Sequence, residues 1–230
     1  MVVSISTKPS SQDTQALQKV WSGLNAHSCP YEYNFHMHTI YSDGQLTPEQ
    51  LIQQATDIGL KGLAITDHHS LEGYKIAENW LNKTSLETPS QSLPHLWTGV
   101  EITSRLLDIE VHILGYGFAP EHPALQPYLW GDSPRGTQGL ASTVIHAIHK
   151  AGGMAVLAHP ERYSYSAKKL IPAAASLGID GVEAFYAYNN PKPWKTSPRP
   201  TETVLNLSNL HGLYHTCGTD SHGVSLLQRI

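Results

Sequence analysis

The chain has 230 residues, with 15 Lys plus Arg against 19 Asp plus Glu and a formal charge of −4. That is enough chain for one or two domains, and it leaves no broad basic surface for non-specific nucleic-acid binding, although a local basic groove stays open. Histidine stands out: there are 14 in a chain that is only 15% charged, where about 25% is ordinary, an excess that points either to metal or proton chemistry or to scattered surface rings. No segment approaches the roughly 18 apolar residues of a membrane span, and the amino-terminal MVVSISTKPSSQ has no apolar signal stretch, so a soluble, cytoplasmic chain is expected. Cys29 and Cys217 form neither a disulfide framework nor a zinc-type pair, and read as unreactive thiols.

In chain order, residues 1–12 read as a loose polar tail and 13–32 as a helix plus linker, with Asp13 as cap and Leu17, Val20, Trp21 and Leu24 on one face. From residue 33 to residue 230, short apolar runs alternate with helical patterns. The runs are Asn34 to His38, Gly62 to Thr66, Leu96 to Glu101, Glu110 to Gly115, Met154 to Ala158, Gly181 to Phe185 and Tyr214 to Gly218. The third and fourth lie too close for a helix between them; the other crossovers are long enough, which predicts an α/β fold with a parallel sheet. Thr47 and Gln50 form a capping box, with Pro48 at the first helical position and Gly59 as the stop. Further helices are expected over about 138–151 and 167–177, each ended by glycine. Lys83 to Pro94 reads as a mobile loop. Ala187 to Pro200, with four prolines, Trp194, Lys192, Lys195 and Arg199, reads either as a solvated loop or as a lid over an anionic substrate.

The histidines and carboxylates gather on these runs. His36 and His38 are two apart on a strand and share a face. Asp43 follows, Asp67, His68 and His69 end the second run, Glu101 ends the third, and His112 lies in the fourth. His159 ends the fifth, Glu183 lies in the sixth, and Asp220 and His222 follow the seventh. In parallel α/β barrels the functional site is built on the carboxyl ends of several strands. Imidazoles and carboxylates without thiolate suit Zn, Mn or Fe, and their number exceeds the three or four that a single catalytic zinc takes from protein. Such clustered cations generate hydroxide near neutral pH and stabilise phosphoryl displacement.

The ordered motifs HMHTIYSDG, ITDHH, GVEI, VHILGY, LAHP and GTDSH, spanning residues 33–223, resemble the PHP (polymerase and histidinol phosphatase) family of metal-dependent phosphoesterases, most of all its small stand-alone nucleotide phosphoesterases. The resemblance implies a distorted seven-stranded (βα)7 barrel with a metal site at the carboxyl ends of the strands, holding two or three divalent ions (Mn, Zn or Fe). It implies one ion on His36, His38, Glu101 and Asp220, a second bridged by Glu101 to His112 and His159, and a third on Asp43, His68 and His222. Asp67 and Glu183 would orient ligand imidazoles by hydrogen bonds. His69, where many relatives carry Asp, is an extra ligand, an acid or a spectator. The insertion that recognises nucleosides in relatives is reduced here, at about 118–137.

The expected activity is hydrolysis of a phosphate ester of a nucleotide or other small phosphomonoester by metal-activated hydroxide. The alternatives are a 5′-3′ exonuclease on short oligonucleotides, a metal-stabilised non-catalytic interaction module, or a hydrolase of C–N bonds. Arg162 and Arg135, with Lys192, Lys195 and Arg199, are the candidate phosphate contacts, and Trp194 is a candidate stacking partner for a base. No obligate protein partner and no membrane attachment are evident.

Overall fold

The computed structural model describes residues 9–230. The first eight residues of the expected tail lie outside that range, and the rest of it is docked. Ser10–Gln12 forms one 3-10 turn; the buried Ser11 accepts Thr98 N through its carbonyl at 3.0 Å, and Ser10 O meets His95 Nε2 at 3.1 Å. Backbone hydrogen bonds order this polar stretch, and composition does not register them. Helix α1 (Thr14–Trp21) starts where expected, because the Asp13 carboxylate accepts the amides of Gln15 and Ala16, both at 3.0 Å. Its buried face sets Trp21 edge-on to Tyr116, with ring centroids 5.4 Å apart, and beside Tyr214 at 6.1 Å.

Among the described residues eight strands form two sheets, where the resemblance implies a seven-stranded barrel. β1 (Tyr33–Asn34), β2 (Gly62–Ala64) and β3 (His95–Trp97) are parallel, in the order β1-β2-β3. The second sheet runs β4-β5-β6-β7-β8, comprising Gly99–Leu106, Ile109–Tyr116, Met154–Leu157, Gly181–Phe185 and Tyr214–Cys217. In it β6, β7 and β8 are parallel, while β5 is antiparallel to both of its neighbours. The expected run from Leu96 to Glu101 is two strands, split at Thr98, whose N–H goes to Ser11 O and whose carbonyl accepts Gly117 N. β4 continues past Glu101 and turns through Leu107 and Asp108, at φ 51° and 64°, the left-handed pair of a two-residue hairpin.

The two sheets meet around the cluster of histidines. At one seam Phe35 N donates to Cys217 O at 3.0 Å and Asp220 N to His36 O at 2.8 Å. At the other, Glu101 N donates to Asp67 O at 3.2 Å and His69 N to Glu101 O at 3.0 Å.

Helix α2 (Pro48–Ile58) has the expected capping box and ends at Gly59, φ 82°. Helix α3 (Glu72–Glu87) takes the first five residues of the expected Lys83 to Pro94 loop. α4 (Ala141–Lys150) begins three residues later than expected, because Gly136–Gly139 forms a 3-10 turn. α5 (Ala167–Ser176) lies where expected. α6 (Pro198–Leu210) absorbs the end of the Pro-rich loop, since Pro198 and Pro200 fall in a first turn that needs no amide from them. The larger core lies among α1, α4–α6 and the five-stranded sheet, and a smaller one lies under α2 and α3.

Candidate metal centre

The segment Phe35–His38 threads between the two cores. Phe35 enters the larger, Met37 the smaller, and alternation along this segment, which continues past the end of β1 with Met37 bridged to Ser221, leaves His36 and His38 together, both buried, with ring centroids 5.2 Å apart. Glu101 and Asp220 close on them from the two seams. Glu101 Oε2 lies 3.0 Å from His36 Nε2 and 3.1 Å from His38 Nε2; Asp220 Oδ1 lies 3.4 and 3.3 Å from the same atoms.

The other oxygen of Glu101 faces away from this quartet. Its Oε1 is 2.8 Å from His112 Nδ1 and 3.6 Å from His159 Nε2. His112 lies in the first half of β5, not near a carboxyl end, and it reaches this face because β5 runs against its neighbours. A third group forms outside: Asp43 Oδ2 lies 3.2 Å from His222 Nε2 and 3.8 Å from His68 Nε2, with His38 Nδ1 3.5 Å from Asp43 Oδ1. Thus His36, His38, Glu101 and Asp220 gather within one cluster, His38, Asp43, His68 and His222 within another, and His68 also joins Glu101 and His112.

The backbone is strained to achieve this. His159 and Asp220 sit at φ 26° and 52°, a region non-glycine residues seldom occupy and one that recurs at functional sites. Gly218 must be glycine, because a Cβ there would land on His36.

Four buried polar atoms of the cluster, His38 Nε2, Glu101 Oε1, His112 Nδ1 and His159 Nδ1, have no partner in hydrogen-bond geometry, although Glu101 Oε1 and His112 Nδ1 lie only 2.8 Å apart. Buried polar atoms are ordinarily satisfied, and a cation among these nitrogens and oxygens would satisfy several at once. The donor set therefore fits divalent metal ions. Electrostatics agrees: burial raises the carboxyls of Glu101 and Asp220, but the surrounding imidazoles outweigh it and hold both well below the usual range. Burial lowers His38, yet the carboxylates of Asp220 and Glu101 beside it prevail and raise it to about 9. For His68, burial prevails and lowers it to about 4.

Around the cluster, Glu183 Oε1 meets His36 Nδ1 at 3.0 Å and its Oε2 accepts His159 N at 2.9 Å. Asp67 touches no imidazole. It accepts Thr39 N at 2.6 Å, Thr39 Oγ1 at 2.7 Å and Ser42 Oγ at 2.8 Å, and reaches His38 only through Ser42, 3.4 Å from Nδ1. The turn after His38 needs those donors satisfied, and this claims the carboxylate. Both nitrogens of His69 are engaged by backbone, Nδ1 with Tyr128 O at 3.2 Å and Nε2 with Thr103 N at 3.2 Å. His69 is thus buried and braces the segments of Tyr128 and Thr103.

Of the expected phosphate contacts, Arg162 reaches the cluster: its Nη1 donates to Asp220 Oδ2 at 2.7 Å and Tyr186 Oη at 3.1 Å. Arg135, Lys192, Lys195 and Arg199 are exposed, and no hydrogen bond or ion pair joins them to it. Trp194 is only 5% exposed and belongs to the larger core, so it does not stack a base. With Ser197 bonded to Tyr186 O and Tyr188 O, it anchors the Pro-rich loop to the body.

Sequence reasoning missed Tyr186 and Arg229, which donate to Asp220 Oδ2 at 2.6 and 2.8 Å, and Tyr163, whose hydroxyl accepts His112 N at 2.8 Å. Tyr163 directly follows Arg162 and could have been found by proximity to the LAHP motif; Arg229 carries no motif signal. Arg162, Arg229, Tyr186, Tyr188, Asn189 and Glu161 line a cavity of ≈ 300 Å³ beside Asp220.

Comparison with known proteins places these features in context. The chain is 26% identical over 261 aligned positions to the 5′-3′ exoribonuclease Rnm of Salmonella typhimurium, covering 83% of this chain and 85% of that protein. It is 34% identical to the 3′,5′-nucleoside bisphosphate phosphatase of Chromobacterium violaceum over 92 positions, 40% of this chain and 30% of the relative. Among solved structures, an amidohydrolase of Chromobacterium violaceum with bound sulfate superposes with a TM-score of 0.67 at 22% identity, over 84% of this chain and 88% of that one. That likeness speaks to the fold alone. The PHP domain model matches residues 34–223, the stretch that carries every member of the cluster, and the chain belongs to the PHP family.

Proposed function

We propose that the chain is a metal-dependent hydrolase of phosphate esters that removes nucleotides from the 5′ end of short RNA. The observation that carries the hydrolytic reading is the convergence of six imidazoles and three carboxylates on one face, its inner members buried and four of their polar atoms without a partner in hydrogen-bond geometry. Support for the RNA substrate comes from the exoribonuclease relatives, whose likeness extends along most of both chains.

His36, His38, Glu101 and Asp220 would hold one ion, Glu101, His112 and His159 a second, and Asp43, His68 and His222 a third. Such ions supply Lewis-acid stabilisation of a phosphoryl group and an activated water. The chain's own residues do the rest. Glu101 presents its two oxygens to different histidines and so fixes the spacing of the groups. Glu183 holds His36 through Nδ1, leaving Nε2 turned to Glu101. Arg162, held by Asp220 and Tyr186 at the cavity wall, would bind phosphoryl oxygens through the rest of its guanidinium.

Manganese-loaded protein is expected to release mononucleotides stepwise from a 5′-phosphorylated pentanucleotide. Release of inorganic phosphate alone, from that substrate and from a nucleoside 3′,5′-bisphosphate, would favour the phosphatase reading that the local likeness to the bisphosphate phosphatase supports. No cleavage of either would overturn both readings.

A further inference from the structure

Four of the five tryptophans are accounted for: Trp21, Trp97 and Trp194 are buried in the core, and Trp80, on α3, is half-buried against the smaller core. Trp130 is 76% exposed. It is not on a loose excursion. The neighbouring Leu125 and Tyr128 are fully buried, Tyr128 Oη donates to Gln138 Oε1 at 3.0 Å, and Tyr128 O meets His69 Nδ1 at 3.2 Å. On the other side of Trp130, Gly131 N donates to His69 O at 3.0 Å. Trp130 is therefore flanked by two hydrogen bonds to one histidine, and that histidine is covalently next to His68 of the cluster. An indole is presented to solvent on a braced support that His69, the neighbour of His68, ties to the candidate metal centre.

We propose that Trp130 is a stacking platform for a nucleobase of the substrate. An exposed indole on a braced support gives a flat ligand apolar area to cover, and the cluster it is tied to is read here as a site for phosphate esters. Among phosphate esters, nucleotides carry a flat π system next to the phosphate, and indole stacking favours such faces without choosing among the bases. The platform takes the role that the buried Trp194 cannot fill, and it explains how a chain with a short insertion still grips a nucleoside. It rests on the reading of the cluster as a phosphoester site.

The test is a fluorescence titration of the zinc-loaded full chain with two ligands. One is a 5′-phosphorylated adenine dinucleotide with an uncleavable methylphosphonate linkage; the other is its abasic counterpart. The wild type is expected to bind the adenine compound about tenfold more tightly than the abasic one, with quenching of the exposed indole. Trp130→Ala should lose both the quench and the advantage while binding the abasic compound as the wild type does. Trp130→Phe should recover part of the advantage, and Leu86→Ala, at an exposed position on α3, should leave it intact. A wild type that binds both compounds equally, or a Trp130→Ala protein that keeps the preference, would overturn the platform alone. A wild type that binds neither would overturn the phosphoester reading along with it.

Discussion

Arg229 Nε donates to Asp220 Oδ2 at 2.8 Å, on the side of the carboxylate turned away from His36 and His38. With Arg162 and Tyr186 on the same oxygen, three donors pin Asp220 in the strained backbone conformation that aims Oδ1 at the imidazoles. Groups that orient a ligating carboxylate are typically worth 10–100-fold in metal affinity. Arg229→Gln is expected to weaken the tightest-bound ion by about tenfold with no loss of folded protein. Competition with a chromogenic chelator measures it, and an unchanged affinity would remove Arg229 from the account.

Metal loading should release protons. In the metal-free protein the carboxylates hold His36 well above its usual value and His38 at about 9, prevailing over the burial that lowers both. A ligand nitrogen must be deprotonated. Near pH 7.5 the first ion therefore displaces about two protons, and affinity rises with pH through the range, up to about 9, in which His38 loses its proton. Calorimetry in buffers of different ionisation enthalpy gives the count; a proton-free binding step between pH 7 and 8 would contradict it.

Far from the cluster, His149 Nε2 lies 2.7 Å from Asp180 Oδ2. This bond raises the imidazole above its usual value, against partial burial. A raised folded value means that the contribution to stability is complete below about pH 6.5 and is lost as pH rises through the folded value. Both groups are about a third exposed, so the effect stays under about 1 kcal/mol. The stability gap between wild type and His149→Gln, read from urea unfolding, should shrink between pH 6 and pH 8.5. A gap that grows over that range would reverse the assignment.

Trp21 ties α1 to the sheet through Phe35 and Tyr116, and Tyr116 Oη donates to Phe35 O at 2.7 Å, directly behind His36. Trp21→Ala is expected to lower stability by about 3–5 kcal/mol. Denaturant unfolding tests this, and a loss below about 1 kcal/mol would show that α1 is only appended to the body.

What was legible in the sequence follows from local rules. His36 and His38 were readable as a pair because strand alternation is strict, and the capping box of α2 was readable because it is a contact over three residues. The reversal of β5 was not. Nothing in VHILGY states strand direction, and a two-residue hairpin at Leu107 and Asp108 without glycine or asparagine gives no turn signal. The role of His69 was equally hidden, since its partners Thr103 and Tyr128 lie 34 and 59 residues away. Trp194 looked like a surface aromatic among prolines and cations, yet the large core claims it. Arg229 stands outside every motif and reaches Asp220 only through the final fold.

The central claim is that these side chains form a multinuclear metal centre. Elemental analysis of folded protein loaded with manganese or zinc and freed of excess metal tests it most directly. The account predicts two or three ions per chain, falling by at least one in Glu101→Gln, whose oxygens face both the His36 and His38 pair and the His112 and His159 pair. A wild-type chain that retains one ion or none would contradict it.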